Sequence, residues 1–473
     1  MTPLPRSTPS EQDVDPGSVL ALLDAVEAAG VELHSLMVLR HGHVVAEGWW
    51  APYTADRPHL LYSLSKSFTS TAAGLAAAEG LLDLDDTLLS HFPELDADAT
   101  DPRSRSIRLR HVAAMASGHA EETLQRALAI DPVDVVRGFL RIRPDAEPGT
   151  VFAYNQPCTY SLGKVVQRHS GQRLTEYLRP RLFEPLGIGE VGWLRHGEDE
   201  LGFSGLHART EDVARLGQLY LKRGAWEGQQ LLPEAWVEEA TRSHVDNRTD
   251  DPTVGPDWQQ GYGFQFWVSQ HGFRGDGAYG QFCLVLPEQD AVVVTTAATD
   301  QMQVLLEAVW AHLLPGLGAG PSDRAAEQEL LDRLAGLRLA DPSTTDRPDD
   351  LGPWSRRFEA TSESDRNPAR VSAVTITPDE DALTLELTDR ADGLRARAGL
   401  DGWLVQEADG TDGPVPVAAA AGWSDPGTLV LEVLFLETPH RLRLTCSADG
   451  SAVAEWPTVP LHQVPLAALR RPR

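Results

Sequence analysis

From about Phe358 onward the chain breaks into short alternating runs, VSAVTIT, ALTLELT, LRARAGL, TLVLEVLFL and HRLRLTC, with turn-forming residues between them. Alternation with a period of two buries one face of each run, so the runs must cover one another. They predict a small antiparallel β domain, of which a barrel is one form. No such rhythm governs the residues before Gly316, where helical and strand-like patterns take turns. A chain of 473 residues is also too long for one ordinary core. It divides into a flexible arm over 1–14, a large mixed domain over 15–315, a linker with one amphipathic helix over 316–357, and the β domain over 358–473.

Within the large domain, Asp15-Pro16 opens a helix: the carboxylate suits the cap and the proline the first turn. LHSLMVLR and VVAEGWW flank His41-Gly42 and predict a β-hairpin. A long, mostly helical insertion follows. It begins with SLSKSFTSTAAGLAAAEG at 63–80, whose small residues suit a helix packed tightly among neighbours. Further helices are expected over 121–143, 158–170, 174–183 and from Thr210 to Gly224. Residues 261–269, 280–287 and 291–298 return to strand character, and Val304 to Leu314 reads as a closing helix.

Lys and Arg number 41 against 69 Asp and Glu, a net charge of −28. So acidic a chain repels phosphate backbones and anionic surfaces, which argues against nucleic acid or membrane as partners. Cys158, Cys283 and Cys446 have no regular spacing, so neither a disulfide framework nor a metal site is expected, and buried free thiols are. The N-terminal residues lack the apolar core of a signal peptide, and a cytoplasmic location is the expectation.

Ser63-Leu64-Ser65-Lys66 carries the clearest chemistry. Residues three apart share a helix face, so Lys66 can reach the Ser63 hydroxyl, and a serine needs such a base to become a nucleophile. The same S-x-x-K pattern recurs as Ser161-Leu162-Gly163-Lys164, and alone the pattern is common. Context favours the first copy, which opens the small-residue helix and precedes two further motifs.

Those motifs carry a family resemblance. HLLYSLSKSFTSTAAGLAAAEGLLDLDD, IRLRHVAAMASGH, EPGTVFAYNQPCTYSLG, GLHARTEDVARLGQLYL, GYGFQFW and GDGAYGQFCLVLPEQDAVVV appear in an order similar to that of class C β-lactamases, penicillin-binding proteins and their esterase and amidase relatives. The resemblance spans about residues 17–315. It implies an α/β (α+β) fold, with a central antiparallel sheet and a helical insertion.

It also implies roles. Ser63 would form an acyl-enzyme, and Lys66 and Tyr154 would share the proton work, the phenol's pKa lowered beside an ammonium. Gln156 stands where the family has Asn or Ser and would hold Lys66 or the substrate carbonyl. In the third motif Ala278-Tyr279-Gly280 replaces a cationic Lys-Thr-Gly or His-Thr-Gly. Gly280 would allow close approach of substrate, and the backbone amides of Gln281 and Ser63 would form the oxyanion hole. Tyr279 either lines the pocket or caps the sheet edge. Arg274 and Asp276 flank this motif, and Trp258, Tyr262 and Trp267 suit either a pocket wall or core.

No cation thus waits for a substrate carboxylate, so the implied activity is a cofactor-free, metal-free serine hydrolase of neutral esters, amides or short peptides. A β-lactamase, D-stereospecific peptidase or peptide cyclase on the same residues is the alternative. A non-catalytic binding relative is the alternative of another class. The β domain would shape the cleft, mediate a homodimer or only stabilise.

Overall fold

The computed structural model describes residues 3–320, 324–342, 347–361, 371–389, 392–462 and 464–472. Helix α1 (Pro16–Ala28) is capped by the Asp15 carboxylate, which accepts from the Gly17 amide at 3.0 Å. The chain then forms the hairpin of β1 (Leu33–Arg40) and β2 (His43–Trp49). His41 and Gly42 both take positive φ in its two-residue turn, the twist that hairpins favour.

The other edge of β1 pairs with β6 (Ala291–Ala297), about 250 residues further along the chain. With β3 (Trp267–Val268), β4 (Phe273–Gly277) and β5 (Gln281–Leu286) they make one antiparallel sheet in the order β3-β4-β5-β6-β1-β2. Both faces are covered. Along β1, Leu36 and Val38 join one core with α1, while Met37 and Leu39 join another with the inserted helices. The insertion includes α2 (Ser65–Ala78), α3 (Gln156–Ser170) and α4 (Thr210–Leu221).

Several local expectations are corrected. Residues 3–14 lie against the sheet instead of forming a free arm: Leu4 is buried, Val44 exchanges backbone hydrogen bonds with Pro5 and Ser7, and Arg6 pairs with Glu47 and Glu211. The helix expected over 121–143 is two, Leu124–Ile130 and Val135–Arg141. Pro132 interrupts it, and the Asp131 carboxylate takes the Val133 and Asp134 amides. Of the strand expected over 261–269 just β3 forms. Gly261 and Gln265 take positive φ there, and a side chain at Gly263 would strike the Ala240 carbonyl.

Past the helix α5 (Arg324–Ala335), nine strands of the described residues close into a barrel: β7 (Arg357–Thr361), β8 (Val371–Pro378), β9 (Ala382–Asp389), β10 (Asp392–Gly399), β11 (Leu404–Gly410), β12 (Gly413–Asp425), β13 (Thr428–Phe435), β14 (Arg441–Ser447) and β15 (Ser451–Glu455). Neighbours run antiparallel except at the closure, where β7 and β15 pair in parallel. Four of these strands were not legible as alternating runs. LVQEADG is too polar, and GPVPVAAAAGWSD has prolines and alanines where β-branched residues would give the signal. The barrel has its own core, in which Phe358, Leu385, Val417, Trp423 and Leu431 meet. It docks on the sheet domain partly through Arg441, which bridges Glu432 of the barrel and Glu32 beside β1 at 2.8 and 2.6 Å. Among the described residues no helix is long and apolar enough to cross a membrane.

Candidate active site

Helix α2 is buried on nearly every side, which its small residues permit. A Cβ on Gly74 would lie 2.6 Å from the Trp236 ring. The helix is entered through a tight turn, Tyr62–Leu64, in which Tyr62 takes a positive φ. Such a conformation is costly for a bulky residue and persists where surroundings impose it. Here it presents Ser63, partly exposed, at the mouth of the helix.

One turn later Lys66 is 1 % exposed, and its Nζ donates to Ser63 Oγ at 3.0 Å, Gln156 Oε1 at 2.7 Å and the Phe203 carbonyl at 2.7 Å. All three ammonium protons therefore have acceptors. Burial still lowers the Lys66 pKa to about 7, against the fields of Asp276 and Glu122, which raise it. As the neutral amine, Lys66 can keep Gln156 and Phe203 as acceptors and turn its lone pair toward Ser63.

Tyr154 precedes α3 and Gln156 begins it. The Tyr154 ring stacks on Trp267, with centroids 5.3 Å apart, and lies 4.7 Å from Lys66 Nζ. The expected lowering of its pKa is corrected. Burial raises it above the ordinary tyrosine range, outweighing the Ser63 hydroxyl that lowers it. The phenol is a proton donor at neutral pH.

The third motif is displaced from its expected position. Ala278, Tyr279 and Gly280 form the turn between β4 and β5, and the strand facing α2 ends in Gly275-Asp276-Gly277. A Cβ on Gly277 would sit 2.1 Å from the Leu61 carbonyl, and one on Gly275 would sit 2.9 Å from Ser67 Oγ. These glycines, two apart on one face, let the strand press against the turn that holds Ser63. Ala278 and Asp276 line the same cleft as Ser63.

The structure does not bring the side chains of Tyr279 and Gln281, or Gly280, to the cleft wall. Tyr279 donates its hydroxyl to the Val459 carbonyl at 2.6 Å, between sheet and barrel. Gly280 faces Ala297 and Leu305. Gln281 is fully buried, and its Nε2 donates to the carbonyls of Ala278 and Ala297. It therefore braces the turn from behind. Glycines at alternate positions of a strand were the available signal for the true register; nothing in the sequence signalled Phe203.

The cleft has a volume of about 1050 Å³, and Trp258, Trp267, Phe152 and Tyr154 give it aromatic walls. Tyr262 lies behind them, buried against Tyr154 and Trp267. Arg274 is wholly buried beneath: its Nε donates to Asp276 at 2.8 Å, Nη1 donates to Ser269 and the Asp257 carbonyl, and the guanidinium covers Trp258. Its charge is committed to Asp276. Arg248, on the rim, is paired with Asp246. The second S-x-x-K copy is differently placed, with Ser161 buried inside α3 and Lys164 paired with Asp199.

The chain is similar to several known proteins. A 6-aminohexanoate-dimer hydrolase from Paenarthrobacter ureafaciens is 26% identical over 320 residues, covering 62% of this chain and 81% of its own. Penicillin-binding protein 4 from Amycolatopsis lactamdurans is 25% identical over 392 residues, covering 73% and 93%. The structure of EstCE1, a hydrolase with promiscuous acyltransferase activity, superposes with a TM-score of 0.50 at 18% identity, over 64% of this chain and 99% of that one. The Beta-lactamase family model matches residues 23–315, most of the chain, Ser63, Lys66 and Tyr154 among them, and the chain belongs to that family of serine hydrolases.

Proposed function

We propose that the protein hydrolyses neutral esters or amides through an acyl-enzyme on Ser63, with Lys66 as base and Tyr154 as acid. The observation that carries this reading is the buried Lys66 amine, 3.0 Å from Ser63 Oγ with its other protons held by Gln156 and Phe203. Neutral Lys66 takes the Ser63 proton as Oγ attacks the carbonyl. Ser63 and Ala278 both line the cleft, whereas Gln281 is paired with Gly277 in the sheet, so the oxyanion is assigned to the backbone amides of Ser63 and Ala278 in place of Gln281. Tyr154 protonates the leaving group and recovers its proton from Lys66, and water then repeats the cycle on the ester. The three cysteines are buried and unpaired, which suits a cytoplasmic enzyme. A fluorophosphonate probe is the direct test: an adduct mapped by mass spectrometry to Ser63 is expected, and an adduct on any other residue overturns the assignment.

The pH dependence follows from Lys66. Its pKa is lowered from 10.5 to about 7, so the active neutral form grows as pH rises through 7. With a neutral ester, kcat/KM should climb roughly tenfold per pH unit below 7 and level off above about 8. Tyr154, shifted upward, adds no falling limb in that range. The sign for stability is the same. The unfolded chain holds a proton on this lysine between about 7 and 10.5 that the folded one has released, so this group's contribution to stability rises with pH across that window. A flat rate profile from pH 5 to 8 would remove Lys66 as the base.

Charge sets the substrate preference. Asp276 lines the cleft, Arg274 is committed beneath it and Arg248 is paired on the rim. A substrate carboxylate would forgo a charge-assisted hydrogen bond and face Asp276 instead. Benzylpenicillin should therefore be turned over with a kcat/KM at least about a hundredfold below that of p-nitrophenyl butyrate. Comparable values in a side-by-side assay would mean that Arg248 leaves Asp246 to bind the carboxylate.

A further inference from the structure

The chain leaving the last barrel strand returns to the cleft. Residues 456–462 follow β15, and they are pinned to the sheet domain at successive points. Val459 accepts the Tyr279 hydroxyl at 2.6 Å. The Leu461 amide donates to the Tyr62 hydroxyl at 3.2 Å, and that hydroxyl donates to His440 Nε2 at 2.5 Å. His440 completes the ring, its Nδ1 donating to the Thr458 carbonyl at 3.0 Å. Burial lowers the His440 pKa to about 3, so the imidazole is neutral and Nε2 is free to accept. His462 stacks on Tyr62, with centroids 5.5 Å apart and planes 15° from parallel, and its Nε2 meets Ser204 Oγ at 2.9 Å.

One anchor is the chain neighbour of the nucleophile, the other of the carbonyl that holds Lys66. Tyr62 precedes Ser63, and Ser204 follows Phe203, whose carbonyl holds Lys66. The segment is thus held in fixed register with Ser63. Between its anchors, the Leu461 side chain is left 56 % exposed and lines the cleft that holds Ser63, Trp258 and Trp267. A lone exposed leucine needs no explanation on a free surface. On a pinned loop facing an aromatic cleft it is a wall waiting for an apolar surface to cover it.

We propose that Leu461, supplied by the C-terminal β domain, is a specificity-determining residue that packs against the apolar group attached to the reacting carbonyl and limits its size. The proposal rests on the reading of Ser63 as nucleophile. An acyl chain long enough to lie on Leu461 and the tryptophans would be desolvated by them, whereas an acetyl group offers only one methyl to cover. In a hydrophobic pocket a few methylenes of mismatch change kcat/KM by about tenfold or more.

The test uses the full chain as wild type, Leu461→Gly and Leu461→Trp. Both substitutions keep the backbone amide that donates to Tyr62, and the side chain is not part of a core. For each, kcat/KM is measured with p-nitrophenyl esters from acetate to octanoate, together with fluorophosphonate labelling of Ser63. Leu461→Trp should lower the octanoate-to-acetate ratio by about tenfold or more, and Leu461→Gly should move the preferred chain length upward. If the wild type is labelled at Ser63 and active, yet both variants keep the wild-type ratios within twofold, the role of Leu461 is overturned and the acyl-enzyme reading stands. If the wild type neither labels at Ser63 nor turns over any ester, both fall together.

Discussion

Ser63→Ala should reduce kcat/KM for p-nitrophenyl butyrate by about four to six orders of magnitude, the scale seen when a serine nucleophile is removed. The fold should not notice. Ser63 sits partly exposed at the start of α2, and Lys66 retains Gln156 and Phe203 as acceptors when Oγ is gone. Thermal unfolding of the variant is expected within about 0.5 kcal/mol of wild type, as for substitutions that create no cavity and leave no buried group unpaired. Ser161→Ala is the control. Its hydroxyl is buried within α3 and Lys164 is paired with Asp199, so turnover should stay near the wild-type rate. Loss of activity in Ser161→Ala with retention in Ser63→Ala would reverse the assignment of the two motifs.

Lys66→Met and Tyr154→Phe should each lower the rate of acylation by about a hundredfold or more, the usual size of a general acid–base contribution. The double variant should be little slower than the worse single one, because the proton passes from Ser63 to Lys66 and on to Tyr154 in one relay. Losses that multiply would separate them into independent paths. The singles differ in structural cost. Tyr154→Phe keeps the ring on Trp267, so its stability should change little. Lys66→Met leaves the buried Phe203 carbonyl without its donor, at about 1–3 kcal/mol for a buried group left unpaired, while the part-buried Gln156 amide can turn to the cleft. Single-turnover kinetics, normalised to the folded fraction, keep the two effects apart.

The third motif shows where reading the chain by pattern fails. Ala278-Tyr279-Gly280 resembles a motif triplet in composition, and Gly280 does take a positive φ. The hairpin, however, places those residues in the turn and pairs Gly277 with Gln281, so the residues pressed against Ser63's turn lie three positions earlier. A slip of that size cannot be detected from one strand, because register is set by the partner. The same blindness explains the arm. Residues 3–14 look unstructured alone, and they are ordered by Glu47, Glu211 and Val44, none of them nearby in sequence.

What the sequence determined by itself are features that depend on near neighbours: the Asp15 cap, the His41-Gly42 turn, the one-turn spacing from Ser63 to Lys66, and the alternation that separates a β domain from a mixed one. Each follows from backbone geometry repeated over a few residues, which a local pattern records. The tertiary structure alone decided the chemistry those residues can perform. Burial of Lys66 lowers its pKa to about 7, and its third acceptor is a carbonyl 137 positions away. Leu461 reaches the cleft on a loop whose amide is tied to a tyrosine 399 positions earlier. Desolvation and proximity are sums over whatever is packed around a group, and no stretch of chain carries that sum before it folds.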